Sequence, residues 1–366
     1  MASASMTSQA ERPSYELCVV CYPFYPTKDS GRGVDRYLFE LIENLRTLAG
    51  ASVRVLEQGS SVGALAAGKK LGRLVADFLS VKSAVYHAAT PPAGATALML
   101  GRRPVVVTIH DLLPFQDKTY NSSVKFAYAR LCYKICVERA AAIIVPFRVT
   151  KDELVASHRA LASKIHVVNY GVDHATYYPR PAVQRSTRRV LYVGEVSRSK
   201  GVDVVLNAFA QVKKTIPDAE LVIGGKGRDR AELEELSRSL GLTGVEFSGF
   251  VPEADLPELY ASAAVMLFPS RYGFGLSSLE AMASGTPVVV ARTLDAPEFI
   301  SDAGLMVTPG DAQELASSIT RILTEPALRE ELSTKGIARA AQYSWQATAA
   351  KTRAVCDTVY AESSAT

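Results

Sequence analysis

Three short segments place reactive or hydrogen-bonding side chains directly behind apolar, β-branched runs. PVVVTIHDLLPF puts His110 and Asp111 after one run. RVLYVGEVSRSKGVDVVLNAF puts Gly194, Arg198, Lys200 and Gly201 between a strand pattern and a helix pattern. PSRYGFGLSSLEAMASGTPVVVA, residues 269–291, carries Tyr272, Gly273, Phe274, Gly275, Leu276, Ser277, Ser278 and one carboxylate, Glu280, inside an otherwise apolar helix pattern. Neutral imidazole can hydrogen-bond a sugar hydroxyl or a phosphate oxygen, while Asp111 could instead cap the next segment. Cations between a strand end and a helix suit a phosphate group, and solvated loop charges are the equal alternative. The open N–H groups of a helix start favour an anion, with Ser277 and Ser278 placed to cap or donate. Glu280 could bond the vicinal hydroxyls of a ribose. Its apolar neighbours Leu279, Ala281 and Met282 weigh against a surface residue that merely complements the helix dipole.

The elements that must hold these groups alternate along the chain. LCVVCYP, SVRVLE, AVYHA, PVVVTIH, AAIIVPF and KIHVVNY read as strands in the first half. RVLYVGEV, AELVIGG, VEFSGF, AVMLFPS, PVVVA and GLMVTP follow in the second. Helical patterns such as DRYLFELIENLRTL and DAQELASSITRIL lie between them. This alternation predicts an α/β protein with two Rossmann-like, doubly wound domains. GVDHATYYPRPAVQRSTRR, residues 171–189, has linker composition. The expected division is a disordered tail over 1–14, a first domain over 15–183, a second over 184–342, and a closing segment over 343–366. Two such domains face each other across a cleft at the carboxyl ends of their strands, where ligands of α/β sheets bind. SGRGVDRY, residues 30–37, reads as a flexible glycine loop at that edge. The glycines 224, 225 and 227 miss the G-x-G-x-x-G spacing. They would admit a ligand, admit another loop, or simply form a tight turn.

Composition narrows the classes. The chain has 366 residues, 48% hydrophobic and 21% charged, with a formal net charge of +4. That charge is too small for a nucleic-acid footprint. No apolar run approaches the roughly 18–20 residues of a membrane span, and the polar start lacks a secretory pattern, so a cytoplasmic location is expected. The pattern at 62–79, with Lys69, Lys70 and Arg73 beside an apolar stripe, reads as a domain helix, and secondarily as a peripheral contact with anionic lipid. Of the five cysteines, Cys18 and Cys21 form a C-x-x-C within a strand pattern, which points them to opposite faces. Without a second ligand pair they read as structural thiols, as do Cys132, Cys136 and Cys356.

The joint order of SGRGVDRY, TIHDLLP, VVNYGVD, YVGEVSRSKGVD, LVIGGKG, FSGFVPEADLPELYASA, PSRYGFGLSSLEAMASGTPVV, DAGLMVTPGD and QYSWQATA resembles the retaining glycosyltransferases of family four, which have the GT-B fold, over about residues 17–355. TIHDLLP is similar to the mannosyltransferase subgroup. The resemblance implies a nucleotide-sugar donor on the second domain, with GDP-mannose slightly ahead of a UDP-sugar. It implies a sugar, glycan, lipid-linked or small-molecule acceptor on the first. Lys200 would contact the diphosphate with Arg198 nearby, Gly194 would line its loop, and Glu280 would hold the ribose. Gly273 and the backbone of Phe274, Gly275, Leu276 and Ser277 would face the diphosphate or sugar. His110 would touch the sugar near its six-position, and Gly33 would line the donor end of the first-domain loop. No cofactor or metal is implied, and the final helix would cross back to the first domain. Two positions depart from the family pattern. Glu195 stands where an arginine follows the glycine of the diphosphate loop, and Tyr272 stands where a glutamate orients the donor sugar. A phenol donates and accepts but carries no charge at neutral pH. The competing expectation is therefore a non-catalytic GT-B subunit that binds a nucleotide or a partner enzyme. A GT-B epimerase or phosphorylase is a weaker third.

Overall fold

The computed structural model describes residues 15–21, 33–48, 50–56, 76, 80–112, 123–157, 159–271, 275–293 and 295–365. Among the described residues the first domain holds six strands: β1 (Tyr15–Val20), β2 (Ala51–Leu56), β3 (Val85–Ala88), β4 (Val105–Thr108), β5 (Ala142–Val145) and β6 (Ile165–Val167). They form one sheet in the order β2-β1-β3-β4-β5-β6. The second holds β7 (Arg189–Val193), β8 (Glu220–Gly224), β9 (Val245–Gly249), β10 (Val265–Phe268), β11 (Val288–Ala291) and β12 (Leu305–Val307), in the order β12-β11-β10-β7-β8-β9. Every pairing is parallel. These strands are the apolar runs picked out in the sequence. Parallel strands covered on both faces are apolar at consecutive positions, which is why the runs are legible.

The two faces of the second sheet show how the chain winds. Val190, Tyr192, Val265 and Leu267 pack with the helices Val202–Thr215 and Ala312–Thr324. Leu191, Met266, Val288 and Val290 point the other way, toward the helix Leu276–Ala283. The order reverses between β7 and β10, whose following helices lie on opposite faces. This opens a crevice at their carboxyl ends. In the first domain the C-x-x-C is split as its strand geometry requires: Cys18 packs in one apolar cluster and Cys21 in another on the opposite face. All five cysteines are buried thiols outside any disulfide.

A buried seam joins the domains. One apolar cluster runs from Leu17, Val19 and Ile144 through Phe147, Tyr170, Val172 and Tyr177 to Met266, Leu279 and Phe299. The rings of Phe147 and Phe299 lie 5.7 Å apart, and the Arg148 N–H donates to Glu298 Oε2 at 2.7 Å. The helix Trp345–Ser364 starts behind the second domain and packs on the first. Ser344 caps it, accepting from the Ala347 N–H at 3.2 Å. Trp345 is buried near Tyr37 and Tyr170. Tyr360 stacks on Tyr15, and the fully buried Arg353 lies over the same ring while pairing with Asp357 at 2.7 Å. Gly171 makes the approach possible, since a Cβ there would collide with the backbone of Ser344 and Trp345. The tail 1–14 and, residue 76 aside, the pattern at 62–79 lie outside the described residues. No described helix is long and apolar enough to cross a membrane.

Candidate functional site at the domain cleft

The loop after β7 passes through Gly194 into a single tight turn, Arg198–Lys200. Gly201 ends that turn in the left-handed conformation at φ 78° and begins the next helix. A Cβ on Gly201 would also come within 3.1 Å of the Pro269 carbonyl behind β10. Glycine here brings the two loops of the switch point together. The run Gly224–Gly225–Lys226–Gly227 has a definite job among the three open readings: another loop lies on it. The Gly194 N–H donates to Gly224 O and the Val196 N–H to Lys226 O, each at 3.0 Å. A side chain on Gly225 or Gly227 would strike the carbonyl of Gly194 or Val196.

Lys200 and Arg198 part company. Burial pushes the Lys200 ammonium below its ordinary range, while Glu195 and, from the first domain, Asp111 pull it back up. Lys200 is therefore the loop cation that shares the cleft with Asp111. The Arg198 guanidinium is half exposed and engaged by Glu232 at 2.8 Å and Asp203 at 3.5 Å. Its charge partners are acidic groups of the second domain, whereas Glu195 and Asp111 act on Lys200. Glu195 is exposed, with its carbonyl accepting from the Tyr192 hydroxyl at 2.7 Å.

Tyr272, Gly273 and Phe274 lie outside the described residues. Gly275 follows in the left-handed conformation at φ 64° and opens the helix Leu276–Ala283. A Cβ on it would meet the Phe299 ring at 2.9 Å. Leu276 is buried, Ser277 is partly exposed, and the buried Ser278 Oγ has no hydrogen-bond partner among the described residues. Glu280 is 5% exposed. Its Oε1 lies 3.0 Å from Arg36 Nη1, and its Oε2 accepts from the Tyr260 hydroxyl at 2.9 Å. Burial raises its pKa. Arg36 opposes that rise, Glu253 adds to it, the Tyr260 hydrogen bond opposes it, and Glu40 adds again.

On the first domain His110 is buried behind β4, with Nδ1 2.7 Å from the Tyr170 hydroxyl and its ring edge-on to Tyr37. Beneath it, His87 Nε2 lies 2.9 Å from Thr108 Oγ1, which is 3.3 Å from the Tyr37 hydroxyl. Burial pushes His110 down to about 4 and, with help from His110, His87 down to about 3. Both imidazoles are thus neutral at physiological pH. The unfolded chain takes up these protons near 6.5. Each depressed pKa therefore contributes stability above that pH, lost as the pH falls toward about 4 for His110 and about 3 for His87. Denaturant midpoints are expected to fall steadily below pH 6.5, and His87→Gln, which keeps a neutral partner for Thr108, to flatten that decline. An equal slope in wild type and variant would show that His87 does not carry it.

Gly33 is exposed at the first position of the helix Gly33–Thr47. Residues 33–37 are therefore the opening turns of a helix rather than part of a flexible loop. Four residues that matter to the cleft were not singled out as candidates: Arg36, Glu253, Tyr260 and Asp295. Burial, followed by an own-backbone hydrogen bond that opposes it and by Asp111 and two glutamates that add to it, puts Asp295 at about 6. An arginine flanked by Val34, Tyr37 and Leu38 was the available signal for Arg36. For Glu253, in the loop after β9, the sequence offered none.

Two family models match the chain. Glycosyl transferases group 1 matches residues 179–339, and Glycosyltransferase Family 4 matches residues 62–176. Among curated relatives, the MMP alpha-(1->4)-mannosyltransferase of Mycolicibacterium hassiacum is 34% identical over 69% of this chain and 64% of its own length. The O-antigen chain mannosyltransferase B of Escherichia coli is 29% identical over 66% and 67%. A D-inositol 3-phosphate glycosyltransferase of Corynebacterium kroppenstedtii is 32% identical over 60% and 54%. The chain thus spans between about half and two thirds of these relatives. Of solved structures, the sucrose-phosphate synthase of Thermosynechococcus elongatus superposes with a TM-score of 0.80 at 23% identity, covering 95% of this chain and 99% of that one. Anabaena HepE in complex with UDP-glucose does so with 0.75 at 21%, covering 95% and 100%. At these identities the two structures are similar to this chain in fold.

Proposed function

The chain belongs to the group 1, family four glycosyltransferases and has the GT-B fold, and on that footing we propose that it moves a sugar from a nucleotide-sugar donor to a glycan, lipid-linked or small-molecule acceptor with retention of anomeric configuration. The observation that carries this reading is Lys200, a partly buried cation in the loop at the switch point of the second sheet, within electrostatic reach of Asp111 on the first domain. Breaking the sugar–phosphate bond leaves negative charge on the diphosphate. Lys200 and the start of the helix Leu276–Ala283 are fixed in place to stabilise it before it forms. The leaving phosphate oxygen takes the acceptor proton, so the paired carboxylates of a hydrolase are not needed, nor is a bound metal. Glu280 serves the ribose, and the neutral His110 serves the donor sugar. Mannose as the transferred sugar is supported by TIHDLLP and by the names of two relatives. GDP-mannose accordingly ranks ahead of a UDP-sugar.

Glu195 and Tyr272 favour a second reading, a nucleotide-binding subunit without turnover. A donor panel with hydrolysis and transfer measured against simple sugar acceptors separates the two. Turnover of one donor is expected, and nucleotide binding with no turnover of any donor selects the second reading. Tyr272→Glu then reports on the departure itself. Lower turnover means the phenol is adapted to this donor, and higher turnover means the site has decayed.

A further inference from the structure

We infer that Arg36, carried by the first domain, is a positioning residue for the nucleotide site of the second, holding the Glu280 carboxylate as an acceptor for donor hydroxyls. This rests on the reading of Glu280 as a donor ligand and adds what keeps that carboxylate fit for the task. Arg36 sits in the opening turns of the helix Gly33–Thr47. Its Nη1 lies 2.9 Å from Glu253 Oε2 and 3.0 Å from Glu280 Oε1, and its Nη2 donates to Glu253 Oε1 and, at 3.1 Å, to the Tyr177 hydroxyl. Tyr177 donates in turn to Glu253. One guanidinium from one domain therefore bridges two carboxylates of the other and a phenol of the linker. Its fixed fork of donors suits it to this, as a lysine's single ammonium would not be.

The surroundings of Glu280 explain why it needs such a partner. Among the described residues, the charged and titratable groups around it are Arg36 and Glu40 from the first helix, Glu253 from the loop after β9, Tyr260 from the helix Leu256–Ala261, and Tyr177 from the linker. The helix Pro326–Ala340 meets its other flank through Gly336 against Met282. Arg36 is the only cation in that set. Burial works against its charge, but Glu280, Tyr177 and Glu253 more than offset the penalty and raise its pKa. Without Arg36, burial and two neighbouring carboxylates would all drive Glu280 to take up a proton. A protonated carboxyl must donate as well as accept, and it loses the charge-assisted bonds to hydroxyl donors. Because the cation and the carboxylate come from different domains, the nucleotide site is electrostatically complete only while the domains are closed on each other.

The test measures GDP and UDP affinity by calorimetry on the full chain, from about pH 6 to about pH 9, a window that brackets a buried carboxyl with no counter-charge. Glu280→Gln is expected to weaken the nucleotide bound by wild type by ~10–100-fold at every pH, the loss of charged hydrogen bonds. Arg36→Met is expected to match that loss at pH 6 and to recover as the pH rises, with Arg36→Lys, which keeps the charge without the fork, recovering part of the affinity and showing no such pH dependence. Should Arg36→Met fold poorly, Arg36→Met/Glu280→Gln removes both charges. It is expected to bind no more weakly than Glu280→Gln alone, because Arg36 acts through Glu280. Weaker binding by the double variant, or an Arg36→Met loss that pH does not restore, overturns the inference. Undiminished affinity in Arg36→Met beside a weakened Glu280→Gln overturns it while leaving Glu280 as a donor ligand. Undiminished affinity in Glu280→Gln, or no nucleotide binding by wild type, removes the donor-site reading itself.

Discussion

Lys200→Ala is expected to lower turnover of the nucleotide-sugar donor by about 10²–10³-fold, the usual effect of deleting one preorganised group that meets developing charge. The loss should fall mainly on kcat, because full charge on the leaving diphosphate exists only beyond the ground state. The fold should survive. Burial holds the Lys200 pKa below its ordinary value, so the folded site works against the ammonium, and removing it takes away a desolvation cost rather than a stabilising contact. Steady-state kinetics beside a thermal melt checks both halves. A kcat within a few-fold of wild type, roughly 1 kcal/mol or less of barrier, would remove Lys200 from the chemistry. The companion change Arg198→Ala should act weakly, since that guanidinium is taken up by Glu232 and Asp203 at the surface.

Trp345→Ala is expected to cost about 3–5 kcal/mol of unfolding free energy, the range for emptying a buried aromatic site. The indole is 2% exposed, and its ring centre lies 6.1 Å from that of Tyr37 and 6.5 Å from that of Tyr170. Those two phenols flank His110. Turnover should therefore fall with stability, through those phenols. Gly171→Ala probes the same junction from the other side, because its methyl would enter the backbone of Ser344 and Trp345. Denaturant unfolding with limited proteolysis reads both variants, with cleavage expected to begin in the helix Trp345–Ser364. A cost below about 1 kcal/mol for Trp345→Ala, as for a surface change, would mean that this helix does not hold the domains together.

The strands were legible because a parallel sheet covered on both faces must be apolar at consecutive positions. Runs such as PVVVTIH and AVMLF, bounded by glycine, proline and charge, have few other uses. The loops behind β4, β7 and β10 were legible for a related reason: topology assigns ligand chemistry to the carboxyl ends of strands. His110, Lys200, Gly275 and Glu280 stand out as candidates by position as much as by type. The opening turns of the helix Gly33–Thr47 were misread as loop because Gly31 and Gly33 suggest breaks, whereas packing of Tyr37, Leu38 and Leu41 carries the helix back to Gly33.

Pairings across the domains were out of reach. Arg36 and Glu280 are separated by more than half the chain, and no local period links them. Arg198 and Lys200, two residues apart in one loop, look equivalent until burial and partners separate them. The sequence by itself determined the two α/β domains, the strand ends where the cleft must lie and the residue types available there, since hydrophobic period and turn chemistry are local. Only the tertiary structure decided which cation enters the cleft, that Glu280 shares Arg36 with Glu253, and that the glycines after β8 seat a neighbouring loop. Charge pairing and close backbone approach depend on distances between segments that chain order does not encode.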